Sequence, residues 1–351
     1  MENGAPRRIL VIRLSSLGDV ARLLPSLRAL NSSPDFTADL TTEDRFARIM
    51  EIFPVAKEVI KYPRRSAGSP VRSPWSWGSA MASYFRGLRE KRYDVALDLH
   101  GIFRSAAVAH LSGAAETAGY ARGFGKEGSH LFYERALVPS ATSAISRYER
   151  YAGALEAIGA PRPSDDYFAP TVSSGARSKV AELLEKWGMK AGGYAVAFIG
   201  TSAAQRRKRW PIGHFVSCAT EMYRGSGVVS VVAWGPDEAG LLKEIPEGPG
   251  LRVAPLLSLA ETVALIEGCR VYVGADTGFT HIAALMGVRT VAVMGPTDPR
   301  VNRPFGNRFR IAFKPGIKRE CAGEKCCHAD CMALIEPEEV AGEAMALMEA
   351  E

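Results

Sequence analysis

The sequence predicts an α/β protein made of two doubly wound domains. Two observations predict this class. Short β-branched and aromatic runs alternate with helical stretches along nearly all of the 351 residues, which is the pattern of repeated βαβ units. A proline-rich, polar stretch at 160–174 interrupts the alternation near the middle, as a domain boundary does. We therefore expect one domain at 1–165 and a second at 166–351.

The first half starts with the apolar run RILVIRL at 8–14, which is typical of a buried parallel strand. A serine–glycine turn follows it and leads into a helix at 21–30. The other elements expected in this half are strands at 37–41, 59–62 and 94–99, and helices at 42–52, 77–91, 102–111 and 146–158.

The second half repeats the alternation of strands and helices. The apolar run YAVAFI at 194–199 is its first strand. The other elements expected here are strands at 228–232, 252–254, 271–273 and 290–294, and helices at 176–187, 214–223, 259–268, 279–286 and 337–349.

Composition is that of a soluble globular protein, with 47% apolar and 23% charged residues. No apolar run reaches eighteen residues, so the sequence predicts no membrane-spanning helix. The first residues, MENGAPRRILVIRL, lack the apolar core of a signal peptide, and we expect a cytoplasmic protein. The net charge of +6 and the pI of about 9.0 favour an anionic partner such as a nucleotide, a phosphorylated glycan, an anionic membrane surface or a nucleic acid.

The stretch at 271–299, VYVGADTGFTHIAALMGVRTVAVMGPTDP, is a strand, a turn of small residues, a short helix and another strand. The turn holds Asp276, Thr277 and Gly278, and His281 follows in the helix. A strand that ends in a glycine turn and opens a helix points free N–H groups at one place, which suits a phosphate. An ordinary βαβ unit with a polar loop is the alternative.

Other strand ends also carry polar residues. Asp19 follows the first strand, where a catalytic carboxylate of an open α/β sheet would lie; a helix N-cap or first-turn acid is the alternative. Thr201, Ser202 and Lys208 follow the strand at 194–199 and suit a pyrophosphate. A nucleic-acid patch or a solvated loop are the other interpretations of that basic run. Glu238 follows the next strand, where it could accept hydrogen bonds from ribose hydroxyls.

Two basic loops are candidate anion sites. The first, at 63–74, is rich in proline, serine and arginine and includes Arg64 and Arg65; a solvated surface loop is the alternative. The second, at 123–128, matches G-x-G-x-x-G, with Arg122 and Lys126 in or beside it. We discount a dinucleotide site there because neither an apolar strand before it nor a helix after it is evident.

The six cysteines divide into two groups. Cys218 and Cys269 lie singly in apolar surroundings, which predicts buried thiols. Four more lie with one histidine in an eleven-residue segment near the C-terminus, and they are Cys321, Cys326, Cys327 and Cys331. These could bind zinc or an iron–sulfur cluster, but their crowded spacing favours free thiols, because structural zinc sites use two separated pairs.

Several motifs together resemble the family 9 glycosyltransferases, the ADP-heptose:lipopolysaccharide heptosyltransferases. They are RILVIRLSSLGDV at the N-terminus, KRWP at 208–211 and GADTGFTHIAALMGVRTVAVMGPTDP at 274–299. The segment RYDVALDLHGIFRSAAVAHLSGA, the helix LSLAETVALI and the tail CMALIEPEEV also fit. The resemblance covers nearly the whole chain.

The resemblance implies a GT-B fold, in which two Rossmann-like domains face each other across a cleft. The N-terminal domain would receive the acceptor and the C-terminal domain the nucleotide sugar, and the C-terminal helix could pack back on the N-terminal domain. The family reacts with inversion and needs no obligatory metal, so no cofactor is expected. Its general base corresponds to Asp19 and its phosphate-binding, catalytic lysine to Lys208.

For the donor, the resemblance further implies Asp276, Thr277 and Gly278, with His281 close by, and an acidic contact at Glu238. Two departures matter. The spacing from Thr201 and Ser202 to Lys208 is longer than in the best-known members. The loop at 63–74 has no evident counterpart, which leaves the acceptor open.

The function expected from this resemblance is transfer of heptose from ADP-heptose to the inner core of lipopolysaccharide. A monomer that contacts the inner membrane surface peripherally, and binds no nucleic acid, would fit that role. Two alternatives are kept. One is a related enzyme that uses another nucleotide sugar, such as a sugar-nucleotide 2-epimerase. The other is a non-catalytic protein that binds an anion or a nucleic acid.

Overall fold

A computed structural model describes residues 5–64, 71–139, 145–246, 248–314 and 331–350. The chain divides into two compact units, Met1–Asp165 and Asp166–Glu351. Each unit is built on one six-stranded sheet, and every neighbouring pair of named strands is parallel.

The strands of the first unit are β1 (Arg7–Ile12), β2 (Phe36–Glu43), β3 (Val59–Tyr62), β4 (Val95–Asp98), β5 (Glu116–Tyr120) and β6 (Arg135–Leu137). Its α-helices are α1 (Leu17–Ser32), α2 (Asp44–Ala47), α3 (Ile49–Ile52), α4 (Pro74–Glu90), α5 (Phe103–Leu111) and α6 (Arg147–Ala157). The strand order is β3-β2-β1-β4-β5-β6, so the chain changes direction across the sheet between β1 and β4.

The strands of the second unit are β7 (Tyr194–Phe198), β8 (Val229–Ala233), β9 (Leu251–Val253), β10 (Val271–Ala275), β11 (Thr290–Val293) and β12 (Phe309–Ala312). Its α-helices are α7 (Ser174–Lys186), α8 (Ile212–Ser226), α9 (Leu259–Glu267), α10 (Gly278–Leu285), α11 (Pro299–Asn302) and α12 (Pro337–Glu349). The order β12-β11-β10-β7-β8-β9 repeats that of the first unit, and the change of direction falls between β7 and β10.

The cores are those of sheets covered on both faces. In the first unit Leu10 and Ile12 of β1 pack with Tyr84 and Leu88 of α4. In the second unit alternate residues of β7 enter two separate apolar clusters. One cluster includes α8 and α12, and the other includes α7 and α9. Helix α12 therefore completes the core of its own unit.

The structure corrects two expectations in the first unit. The helix expected at 42–52 is two single turns, because β2 continues to Glu43 in register with Tyr62 of β3. Strand β5 precedes the glycine-rich loop at 123–128, although only a four-residue 3-10 helix follows it. The sequence of β5, ETAGY, does not have the pattern of a strand because it includes Gly119. This glycine leaves room for the ring of Tyr133, which a Cβ atom at that position would meet at 2.4 Å.

Ligands of doubly wound sheets bind beside the carboxyl ends of the strands where the strand order reverses. In this protein those ends belong to β1 and β4 in the first unit and to β7 and β10 in the second. Each pair carries polar side chains that the sequence had marked as candidates.

Candidate active site

Asp19 lies in the first turn of α1, directly after β1, and its side chain is 16% exposed. The Ser16 backbone N–H and hydroxyl donate to its Oδ2 at 3.3 and 3.1 Å, which makes a capping box. The N-cap alternative from the sequence therefore describes part of what Asp19 does. The oxygens of its carboxylate also contact cationic side chains.

Three arginines surround Asp19. Arg13 Nη2 lies 2.6 Å from Oδ2, Arg22 Nη1 lies 3.0 Å from Oδ1, and Arg147 Nε lies 3.7 Å from Oδ1. Burial by itself would raise the pKa of Asp19, but attraction to Arg13, Arg147 and Arg22 holds that pKa well below its ordinary value. Asp19 is therefore a carboxylate at any working pH, within a region of excess positive charge.

A second carboxylate, the buried Glu43, ends β2, which pairs with β1. Arg45 Nε lies 3.0 Å from it, Arg64 Nη1 2.6 Å and Arg104 Nη1 3.7 Å. Each of these three arginine side chains is more than 40% exposed, whereas Glu43 is 1% exposed. Glu43 thus anchors three cationic groups that can still turn toward an anionic ligand.

The other acceptor candidates are more dispersed. Arg122 and Lys126 are exposed on the loop after β5. That loop folds against the end of β4, because the Lys126 backbone N–H donates to the Gly101 carbonyl at 2.7 Å. Arg65 lies outside the described residues.

In the second unit Asp276 follows β10, and its side chain is 3% exposed. Lys208 Nζ lies 2.8 Å from its Oδ2, and His281 Nε2 lies 2.9 Å from its Oδ1. The structure therefore brings three of the predicted donor residues into direct contact. His281 is almost fully buried, so its visible task is to hold Asp276 in place.

Thr277 and Gly278 open α10 beside this cluster. Thr277 is the N-cap residue and Gly278 the first helical residue. Backbone N–H groups in the first turn of a helix have no partner within the helix and lie at its positive end. Both residues are partly exposed, so an anion can reach this helix start, next to the Lys208 ammonium group.

Glu238 follows β8 and is 1% exposed. It accepts hydrogen bonds from Thr201 N and Gly235 N, both at 3.2 Å, and it pairs with Arg209. Burial raises the pKa of Glu238, and these donors and the guanidinium group oppose that rise. Glu238 therefore joins the turns after β7 and β8.

The KRWP segment at 208–211 supplies several contacts of this site from adjacent residues. Lys208 reaches Asp276, while Arg209 reaches Glu238 and donates to Thr201 Oγ1 at 3.2 Å. Trp210 is fully buried and its Nε1 donates to the Ile335 carbonyl at 2.9 Å. Pro211 is then the N-cap residue of α8. Ser202, by contrast, is exposed and its side chain makes no capping hydrogen bond.

The sequence did not single out the groups that surround the predicted residues. Arg13, Arg22 and Arg147 come from the end of β1, from α1 and from α6, and no spacing in the chain marks them as a cluster. Of the residues that the sequence did not mark, Arg209 was the easiest to predict, because it lies within the KRWP motif. Glu43 is the last residue of β2 and His100 lies two residues after β4, so a position at a strand end was the available signal for both.

Of the four cysteines near the C-terminus, the structure describes Cys331. Cys321, Cys326 and Cys327 lie outside the described residues. Cys331 is buried, and its sulfur would lie 3.1 Å from a Cβ atom at Gly295. Cys218 is buried as expected, and Cys269 is partly exposed. In the part of the chain that the structure describes, no group of three or more metal-ligating side chains occurs, and no helix there is long and apolar enough to cross a membrane.

Comparison with known proteins places the chain in a family. Residues 81–332 match the model of glycosyltransferase family 9 (heptosyltransferase). Lipopolysaccharide heptosyltransferase 1 of Escherichia coli O18:K1:H7 is 26% identical over 319 residues, which cover 88% of this chain and 92% of the relative.

Two solved structures are similar throughout. The family 9 glycosyltransferase of Veillonella parvula has a TM-score of 0.77 at 22% identity, covering 97% of both chains. The Escherichia coli heptosyltransferase WaaC with ADP has a TM-score of 0.70 at 25% identity, covering 93% of this chain and 98% of that one. The predicted α/β fold of the GT-B class is confirmed, and the chain belongs to glycosyltransferase family 9, the heptosyltransferases, and is a transferase enzyme.

Proposed function

We propose that this enzyme transfers heptose from ADP-heptose to the inner core of lipopolysaccharide, by direct displacement with inversion. The observation that carries the proposal is the buried Asp276 held between Lys208 and His281 at the start of α10. Family membership and the name of the relative, lipopolysaccharide heptosyltransferase 1, support the substrate class. The ADP in a solved relative supports the nucleotide.

The donor binds to the second unit. Its diphosphate lies at the N–H groups of Thr277 and Gly278 and takes Lys208 as a point charge. Asp276 then orients the sugar through its hydroxyls. Lys208 and the two N–H groups stabilise the charge that grows on the departing diphosphate. Thr201 and Glu238 contribute mainly through the turns that they fix, and Ser202 offers an exposed hydroxyl.

The acceptor binds to the first unit, where Asp19 removes the proton of the attacking hydroxyl. A carboxylate with a low pKa is a weak base, so the transfer becomes favourable only after the new C–O bond has largely formed and the hydroxyl has become acidic. Arg64, Arg65, Arg122 and Lys126 hold the anionic groups of the acceptor. The enzyme works as a monomer, and because the acceptor is lipid-linked it works in peripheral contact with the cytoplasmic face of the inner membrane.

The test is a transfer assay with ADP-heptose and a lipopolysaccharide core that lacks heptose, followed by mass spectrometry. Asp19→Ala and Asp19→Asn should each lower kcat by about three orders of magnitude or more, because the base is lost. ADP affinity should persist in both variants. Asp35→Asn is the matched control, since Asp35 is exposed and precedes β2 at the opposite end of the sheet. Near-normal turnover of the Asp19 variants would contradict the base assignment.

A further inference from the structure

His100 lies two residues beyond the carboxyl end of β4, the strand that pairs with β1. It follows Leu99, whose carbonyl accepts a hydrogen bond from Arg13 Nη1 at 2.7 Å. The other terminal nitrogen of Arg13 holds Asp19 at 2.6 Å. One guanidinium group thus connects the backbone beside His100 to the carboxylate of the base.

The turn that carries His100 is fixed by a fully buried aspartate. Oδ1 of Asp98 accepts from the backbone N–H groups of His100 and Gly101 at 2.8 and 3.1 Å. Its Oδ2 accepts from the Ser105 hydroxyl at 2.7 Å and the Tyr133 hydroxyl at 2.6 Å. Four donors on one carboxylate leave this turn little freedom, so the direction in which the His100 ring leaves the backbone is well defined.

The two nitrogens of the ring differ in their surroundings. Nδ1 is buried and has no hydrogen-bond partner among the described residues, although the residue as a whole is partly exposed. Buried polar atoms in folded proteins almost always have a partner. Arg13 Nε is a second buried nitrogen without one in the described part of the chain. Because Nδ1 is the enclosed nitrogen, Nε2 is the one that a substrate can reach.

The imidazole is neutral. Burial lowers the pKa of His100 to about 3, and Arg13, Arg104 and Arg147 act in the same direction, while Asp19 opposes them. A neutral imidazole offers one donor and one acceptor nitrogen. It is thus an uncharged hydrogen-bonding group among ionised neighbours, and this suits an uncharged sugar hydroxyl better than a phosphate or carboxylate.

We propose that Nε2 of His100 hydrogen-bonds a hydroxyl group of the acceptor and so orients the acceptor for proton removal by Asp19. This inference rests on the proposed function, because it assumes that the first unit holds the acceptor. It adds a binding residue that discriminates by hydrogen bonding, whereas the arginines respond to charge. His100 exchanges no proton in the reaction.

The test compares His100→Gln with His100→Asn. A glutamine amide reaches the position of Nε2, and an asparagine amide reaches that of Nδ1. We expect His100→Asn to raise the KM for the acceptor about tenfold, as loss of one hydrogen bond would. His100→Gln should stay within about threefold of the unmodified enzyme. The KM for ADP-heptose should be unchanged in both. His110→Gln is the control, because His110 is an exposed histidine at the far end of α5.

Two outcomes would overturn the inference. The acceptor KM could be the same in all variants, with or without a loss of stability, which would mean that the ring only fills a structural place. The asparagine variant could instead be the one that retains the acceptor KM, which would mean that Nδ1 makes the important hydrogen bond, for example to a buried water. If the unmodified enzyme transfers no heptose, the proposed function fails. Titration of the heptose-free core into the ADP-bound protein would then still compare acceptor affinity between the two variants.

Discussion

Asp19 has three roles: it belongs to the capping box of a helix, it pairs with a cluster of arginines, and it is the proposed base. Its capping box with Ser16 fixes the start of α1, and its oxygens meet Arg13, Arg22 and Arg147. Partial neutralisation by three cations keeps it ionised despite its burial. A base in this setting is always ready to accept a proton but does so weakly, which places proton transfer late in the reaction.

Removal of the Asp19 charge should lower stability in a way that depends on pH. Breaking a buried ion pair costs about 3 kcal/mol, so we expect Asp19→Asn to unfold more easily at pH 7 by that order. The folded-state pKa of Asp19 lies below the unfolded value of 3.8. Its contribution is therefore complete above pH 3.8 and is lost as the pH falls through the folded-state pKa. Denaturant unfolding of both proteins at pH 7, 5, 4 and 3 measures the difference. A gap that already closes between pH 7 and 5 would contradict the lowered pKa.

Lys208 should contribute directly to nucleotide affinity. Its charge reaches the start of α10, where the diphosphate is proposed to bind. A hydrogen bond to a charged group is worth about 1.5–3 kcal/mol, so Lys208→Met should weaken ADP binding by at least about tenfold. Isothermal titration calorimetry measures this directly. Lys186→Met, at an exposed position in α7, should bind ADP as the unmodified protein does. Equal affinity in the two variants would argue against contact between Lys208 and the diphosphate.

At the scale of elements, the apolar runs predicted the strands well where both faces are buried. Strands β1 and β7 were predicted to within about two residues at each end, since continuous burial demands a continuous apolar run. Strands β5, β6 and β12 were missed. They are short, lie toward the outer part of their sheets and carry polar residues such as Glu116, Arg135 and Arg310. Their place depends on the neighbouring strand rather than on their own composition.

The same limit applies to the site. Local sequence marked Asp19, Lys208 and Asp276 as candidates, because Asp19 and Asp276 follow strands and Lys208 begins the KRWP motif. Contacts between distant segments could not be found in this way. Arg147 lies 128 positions from Asp19 in the sequence and still reaches its carboxylate.

The start of α9 gives a test at the level of a single helix. The Ser258 hydroxyl accepts from Glu261 N at 3.3 Å, and Glu261 Oε2 accepts from Ser258 N at 2.7 Å. Loss of such a cap costs about 1 kcal/mol, so Ser258→Ala should lower the free energy of unfolding by that amount. Ser217 is exposed to solvent and lies in the middle of α8, away from its ends. Ser217→Ala should therefore be neutral or slightly stabilising, because alanine favours helix. Chemical denaturation compares the two, and equal effects would show that the cap contributes little.

At the scale of the whole molecule, the two units share one strand order but carry different polar groups. The first unit presents arginines around two carboxylates, Asp19 and Glu43, and the second presents a lysine, an aspartate and a helix start. Each unit also has apolar clusters of its own. The duplicated topology thus gives two equivalent sets of strand ends, at which the side chains differ.

The proposed binding of the donor by the second unit predicts how the full chain responds to a nucleotide. ADP should raise the unfolding temperature of the second unit, because a ligand present at about 100 times its Kd adds about 2.7 kcal/mol to the state that binds it. Differential scanning calorimetry of the intact protein should show one transition that moves with ADP concentration and one that does not. UDP and GDP at the same concentration should move neither transition appreciably if the donor is an ADP-sugar. Lys208→Met should reduce the shift to about half or less, because a Kd weakened about tenfold leaves the ligand at about 10 times its Kd. Asp19→Asn should leave the shift intact and lower the transition that ADP does not affect. A shift of the Asp19-dependent transition with ADP would mean that the nucleotide is held by the first unit, against the proposed assignment.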